Sequence, residues 1–207
     1  MESDSSCCDL TCLNEELPMK FEESLKLSDE EDDYSDISLR LLDLTDVDDF
    51  MEWFTDDNVN KFCSCDNIFI SKEGAMRYIA DVVIPHPWFR AICLNGKPIG
   101  SISVSPFQGK DSCRAEIGYE ISSKYWGNGI GTKAVKMVAS TIFIEWPHLE
   151  RLEGVVAVDN PGSQRVLEKA GFTKEGVLRK YYLLNGKPKD IVMFSLLSTD
   201  QQVTYFM

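Results

Sequence analysis

Asn95-Gly96 lies between two runs of alternating apolar and polar residues, Trp88–Leu94 and Lys97–Ser105. An Asn-Gly pair accepts the left-handed backbone of a two-residue hairpin, so the two runs are predicted to be neighbouring antiparallel strands. A third run, Arg114–Ser122, follows the loop Gln108-Gly109-Lys110 and extends the pair into a meander. Asn185-Gly186 repeats the signal between Val177–Leu184 and Asp190–Leu197. Strands joined in this way are not the βαβ units of a dinucleotide-binding fold.

The remaining segments switch between periods of two and about 3.6. Ile37–Leu41 alternates like a half-buried strand. Thr45 or Asp46 is predicted to cap a helix with Val47, Phe50, Met51 and Phe54 on one side. Ser71 starts a second helix through Ala75, Ile79, Val82 and Val83, which Pro85 and Pro87 stop. Ile130, Ala134, Val135, Val138, Ile142 and Phe143 step by threes and fours along a third. Leu152–Val158 reads as a strand, and a last helix, Ser163–Ala170, follows Asp159-Asn160-Pro161 and closes at Gly171.

Charge divides the chain. Residues 1–36 carry thirteen acids and two bases, a net of −11 within a total of −13. They are Ser-rich and poorly periodic and are expected to form a disordered tail. The rest nets only −2 and lacks the basic surplus that phosphate neutralisation requires, so nucleic acid is not an expected partner. The longest apolar run, Ile191–Leu197, falls far short of the ~18 residues of a membrane span. No basic start and apolar block mark a signal peptide, and an odd cysteine count suggests reduced thiols. A cytoplasmic protein, or one also nuclear, is expected. Neither Cys7-Cys8 with Cys12 nor Cys63-Ser64-Cys65 has the spacing of a zinc site, and no metal is expected.

Gly127, Gly129 and Gly131 stand between the third meander strand and a helix. Glycines there let the chain turn tightly and bare its amides at a helix N-terminus, where the dipole favours a phosphate. The segment is neither GxxxxGK[ST] nor GxGxxG, since position 132 is Thr. A plain packing turn would account for one or two glycines; three on alternate positions favour phosphate.

Trp126-Gly127-Asn128-Gly129-Ile130-Gly131 resembles the acetyl-CoA pyrophosphate loop of the GNAT acetyltransferases, Gln/Arg-x-x-Gly-x-Gly/Ala, with Trp126 in the Gln/Arg place. Ala115-Glu116-Ile117-Gly118-Tyr119, Asn160-x-x-Ser163, Val166 to Phe172, Gly176 to Arg179 and Asn185-Gly186-Lys187 resemble the RimJ/RimL-like branch. The likeness covers about residues 37–198 and leaves 199–207 as a C-terminal extension. It implies an α/β (α+β) fold, a mixed, mostly antiparallel sheet flanked by helices. It also implies an acetyl-CoA-dependent N-acetyltransferase whose acceptor is a protein α-amine, a polyamine or a small-molecule amine.

By the same resemblance, the pantetheine arm of acetyl-CoA would lie in a gap between two strands, held by Tyr119, Glu120 and Ile121. Gly127, Asn128, Gly129, Ile130, Gly131 and Thr132 would hold the pyrophosphate, Asn160 would contact the cofactor, and Ser163 would protonate the leaving thiolate. Asn160 and Ser163 also suit a helix start. Glu116 is the candidate base, acting through a water. Alternation sets it on the face opposite Tyr119 and Ile121, so that role calls for a bulge between them. Pairing with Arg114 or Arg151 is the competing role for Glu116. Tyr119 and Tyr181 either line the acceptor pocket or belong to the core; Trp53, Trp88 and Trp146 are assigned to packing. A catalytically silent acyl-CoA-binding module is the alternative function, and the acidic tail is a possible recruiter of a basic protein or polyamine.

Overall fold

Seven strands form one sheet in the order β1-β2-β3-β4-β5-β7-β6 in a computed structural model that describes residues 36–63, 71–184 and 186–200. The expected acidic tail up to residue 35, Ser64 and Cys65, Asn185 and the end of the C-terminal extension lie outside the described residues. Strands β1 (Ile37–Arg40), β2 (Phe89–Leu94), β3 (Lys97–Pro106) and β4 (Arg114–Ile121) pair antiparallel in succession. Asn95 and Gly96 take φ of 50° and 78°, the left-handed pair that the hairpin between β2 and β3 requires. β5 (Arg151–Ala157) joins β4 in parallel, and β7 (Lys187–Leu197) pairs antiparallel with both β5 and β6 (Thr173–Leu184).

Both faces of the sheet are covered. On one, α4 (Ile130–Glu145) and α5 (Pro161–Lys169) pack Ile130, Val135, Val138 and Leu167 against Ile102, Ile117 and Phe194. On the other, α1 (Val47–Phe54) and α3 (Lys72–Tyr78) bring Phe50, Trp53 and Ala75 onto Ala91 and Cys93. α2 (Asp57–Asn60) is a single turn between them. Trp53 and Trp88 are buried and Trp146 packs against the first core, the packing role expected of each.

Two local expectations are corrected. Asp46 stands at the N-cap position of α1 but its side chain makes no cap bond there; Asp43 instead caps the 3-10 turn Leu44–Asp46 that leads into α1, its Oδ1 accepting the Thr45 amide at 2.7 Å while Asp46 accepts the Asp43 amide at 3.1 Å. Asp46 is unavailable as a cap because its buried carboxylate takes both guanidinium branches of Arg40 at 2.7 Å. Val82 faces solvent rather than the core. After Tyr78 the helix widens to a π-turn over Ile79–Val83, with the Ile84 amide reaching Ile79 at 2.8 Å, and the inward register shifts onto Ile79 and Val83.

Candidate active site

The site grows out of a parting of strands. β4 and β5 pair only through Arg114↔Arg151, Ala115↔Leu152 and Glu116↔Glu153, then separate. Beyond Glu116, the β5 side of β4 has no strand partner, while β5 stays in register with β7 along its full length. A cavity of about 490 Å³ opens at this parting, bordered by Glu116 to Glu120 of β4 and Gly154 to Ala157 of β5.

The expected bulge in β4 is absent, because its register with β3 runs unbroken from Gly100↔Ile121 to Pro106↔Ala115. Alternation therefore holds, with Glu116, Gly118 and Glu120 on one face and Tyr119 and Ile121 on the other. No bulge is needed to bring them together: the gap exposes the strand edge, so Glu116, Tyr119 and Glu120 border one cavity.

Glu116 is half-buried, and no hydrogen bond or ion pair joins its carboxylate to a described residue. The arginine pairing weighed for it goes to Glu153, which accepts Arg114 at 2.8 Å and Arg151 at 2.7 Å. Burial, helped by the nearby charge of Glu153, pushes the Glu116 carboxyl above the usual glutamate range. Glu120 is the second carboxylate on that face. Oε1 accepts Ser101 Oγ at 3.1 Å and Oε2 accepts the Cys63 thiol at 3.7 Å, and burial raises its pKa too.

Across the gap, Asn160 caps α5: its Oδ1 accepts the Ser163 amide at 3.1 Å, and its Nδ2 donates to Ser163 Oγ at 3.2 Å. Both residues line the cavity, so the helix-start role and a place at the site coexist. Tyr119 donates its hydroxyl to the Ser163 carbonyl at 3.0 Å, tying β4 to α5 across the gap, and burial raises its pKa.

The glycine turn leads into the sixteen-residue α4. Gly127 and Gly129 have φ of 84° and 74°, where a side chain is strained. Gly131 does not, and a Cβ there would meet Val166 at 3.4 Å in ordinary contact, so the left-handed turn rests on the first two glycines. Among the described residues no protein group accepts the amides of residues 127–132. Asp56 anchors the approach to the turn by accepting the Ser123 amide at 2.8 Å. Trp126 Nε1 donates to the Ile121 carbonyl at 2.8 Å, so one of the expected contacts for the arm is already shared with the protein.

Several residues at the site escaped sequence reasoning. Lys180 has φ of 51° within a register break between Leu178 and Tyr182, and its amide is held by Asp190 Oδ1 at 2.8 Å. This bulge sets Tyr181, named from the sequence as a pocket candidate, and Tyr182, which was not, at the cavity together with Phe62, Cys63 and Phe89. Nothing local announces it, since Lys rarely takes positive φ. Among the described residues there is no group of three His, Cys, Asp or Glu placed to hold a metal ion, and no helix long and apolar enough to cross a membrane.

Residues 36–173 match the model of the acetyltransferase (GNAT) domain. The chain belongs to the GNAT acetyltransferase family. It is 45% identical over 84 residues to the uncharacterized N-acetyltransferase YoaA of Bacillus subtilis, a match covering 41% of this chain and 47% of that protein. The aligned part thus spans about half the length of that relative. Identity to the uncharacterized N-acetyltransferase p20 of Bacillus licheniformis is 29%, over 79% of this GNAT chain and 94% of p20. The fold is shared with RimL, the ribosomal L7/L12 α-N-protein acetyltransferase solved with coenzyme A, at TM-score 0.70 and 19% identity over 81% and 97% of the two chains.

Proposed function

We propose that this GNAT chain transfers the acetyl group of acetyl-CoA to a primary amine, the amine attacking the thioester directly. One observation carries the reading: the turn at the head of α4, whose amides have no acceptor among the described residues, follows directly on the end of β4, the strand whose free edge borders the cavity with Glu116. The residues fit the cofactor. A diphosphate suits the amides of Gly127 to Thr132, and an amide-bearing arm suits the strand edge at Tyr119, Glu120 and Ile121. Asn160 stands beside that edge.

Acetyl-CoA, when bound, supplies an activated acetyl thioester. Glu116, its pKa raised by burial and with no hydrogen-bond or ion-pair partner among the described residues, takes the proton of the attacking amine through a water. Ser163 Oγ already accepts from Asn160, which leaves its own hydrogen for a departing thiolate. An α-amine, with pKa ~8 against ~10.4 for lysine, asks least of the base. Protein N-termini, polyamines and small amines remain within the acceptor class proposed.

The test is thiol release from acetyl-CoA by the full chain in the presence of an amine set, with Gly129→Glu and Ser163→Ala alongside. Amine-dependent release that Gly129→Glu abolishes is the expected result. Tight coenzyme A binding without amine-dependent release would instead assign a silent acyl-CoA-binding module.

A further inference from the structure

We infer that the acceptor carries a second cationic nitrogen, and that Glu120 is the residue that selects it: the substrate class is a diamine or polyamine rather than an amino acid. This rests on the acetyltransferase reading above and deepens it. Glu116 and Glu120 lie on one face of β4, four residues apart, hence about 13 Å between Cα atoms. Gly118 stands between them and leaves that stretch of the cavity floor without a side chain.

Glu120 is short of partners for a carboxylate. Ionised, it offers about four acceptor sites, yet among the described residues a neutral hydroxyl and a distant thiol are what address it. Buried carboxylates are ordinarily matched by a cation. None of the described residues bordering the cavity is Lys, Arg or His. Burial by itself favours the neutral carboxyl, and a cationic nitrogen of the substrate seated beside it supplies the charge that stabilises the ionised form.

The remaining lining agrees. Ser101 and Ser103 follow one another on the same face of β3, and Phe89, Tyr181 and Tyr182 enclose the space with rings. Hydroxyls and aromatic faces accommodate an ammonium on a methylene chain. A free amino acid would place its carboxylate in a cavity that already holds two and offers no cation to balance it. An amine at each end of a spacer puts one nitrogen near Glu116 and the other at Glu120, with no negative charge to accommodate.

The test compares kcat/KM of the full chain for unbranched diamines, from propane-1,3-diamine to octane-1,8-diamine and including spermidine, with monoalkylamines of equal length and with free amino acids. Diamines are expected to exceed matched monoamines by about tenfold or more, one charge-assisted contact, and amino acids to be the poorest group. In Glu120→Gln the diamine-to-monoamine ratio should fall to near unity through KM, and Glu120→Asp should restore part of it. Thermal unfolding of each variant shows whether it is folded. As a readout independent of turnover, calorimetric binding of an N,N,N′,N′-tetramethylated diamine, whose tertiary nitrogens form no stable amide, should weaken by a similar factor in Glu120→Gln. Equal rates for diamines and monoamines, or a ratio unmoved in folded Glu120→Gln, overturn this inference and leave the acetyltransferase reading standing. Absence of turnover with every amine overturns that reading and this inference with it.

Discussion

At the scale of single residues, Glu116 combines two properties that pull against one another. Burial and the charge of Glu153 penalise its ionised form, yet the proposed proton transfer needs that form. A carboxyl whose pKa is raised on folding contributes stability that is present at acid pH and is lost as pH rises through the folded value. At pH 7, Glu116→Gln is therefore expected to unfold at a higher temperature than the parent chain, and at pH 4 the two curves should coincide. Its kcat/KM should fall about 100-fold, the ordinary worth of a positioned base. The parent's rate should decline on the acid side of the raised pKa. Calorimetry at the two pH values together with a pH–rate profile checks all three; a lower unfolding temperature for Glu116→Gln at pH 7 would remove the penalty on which the argument depends.

Among the elements, what was legible in the sequence had a local cause. Asn95-Gly96, the period-two runs around it and the stepped apolar residues of α4 each state their structure within a few positions. The parting of β4 from β5 was not readable from those residues, because strands separated by a whole helix register against each other through packing. It entered only through family likeness, as did the cofactor and proton-donor roles proposed for Asn160 and Ser163, whose place at a helix start the residues themselves announced. Likewise the Lys180 bulge breaks a conformational rule without a glycine to announce it. Two predictions belong here. Gly129→Ala forces a side chain into a left-handed position at a cost of about 1–2 kcal/mol, or turns the peptide and withdraws an amide. Coenzyme A affinity should then drop about tenfold by calorimetry, which corresponds to about 1.4 kcal/mol. Asp190→Ala removes the acceptor of the Lys180 amide and should cost about 1 kcal/mol in urea unfolding. Because that bulge sets Tyr181 and Tyr182 at the cavity, the variant should raise KM for the amine while leaving KM for acetyl-CoA within twofold, roughly the size of a few tenths of a kcal/mol.

For the whole molecule, the sheet is two halves, β1–β4 and β5–β7, that meet along only three residue pairs. The gap would spread further if nothing held its vertex, and Glu153 stands there. Its buried Oε1 accepts Arg114 from β4 and Arg151 from β5, and Arg151 extends to Glu175 of β6 at 2.7 Å, so one carboxylate clips three strands. Removing it in Glu153→Ala leaves two guanidiniums without their shared partner at the seam. Both are partly open to solvent, which moderates the loss to about 2 kcal/mol in denaturant unfolding. If the clip also sets the width of the gap, coenzyme A affinity should fall in the same variant, since the turn at α4 and the edge at Tyr119 would no longer be spaced for one ligand. The Glu116 pKa should fall as well, because the negative charge that helps raise it is gone, and the acid limb of the pH–rate profile should move to lower pH. Lost stability with unchanged coenzyme A affinity and an unmoved acid limb would reduce Glu153 to a structural ion pair; all three shifts together would make the seam the device that relates the two halves of the sheet to the chemistry between them.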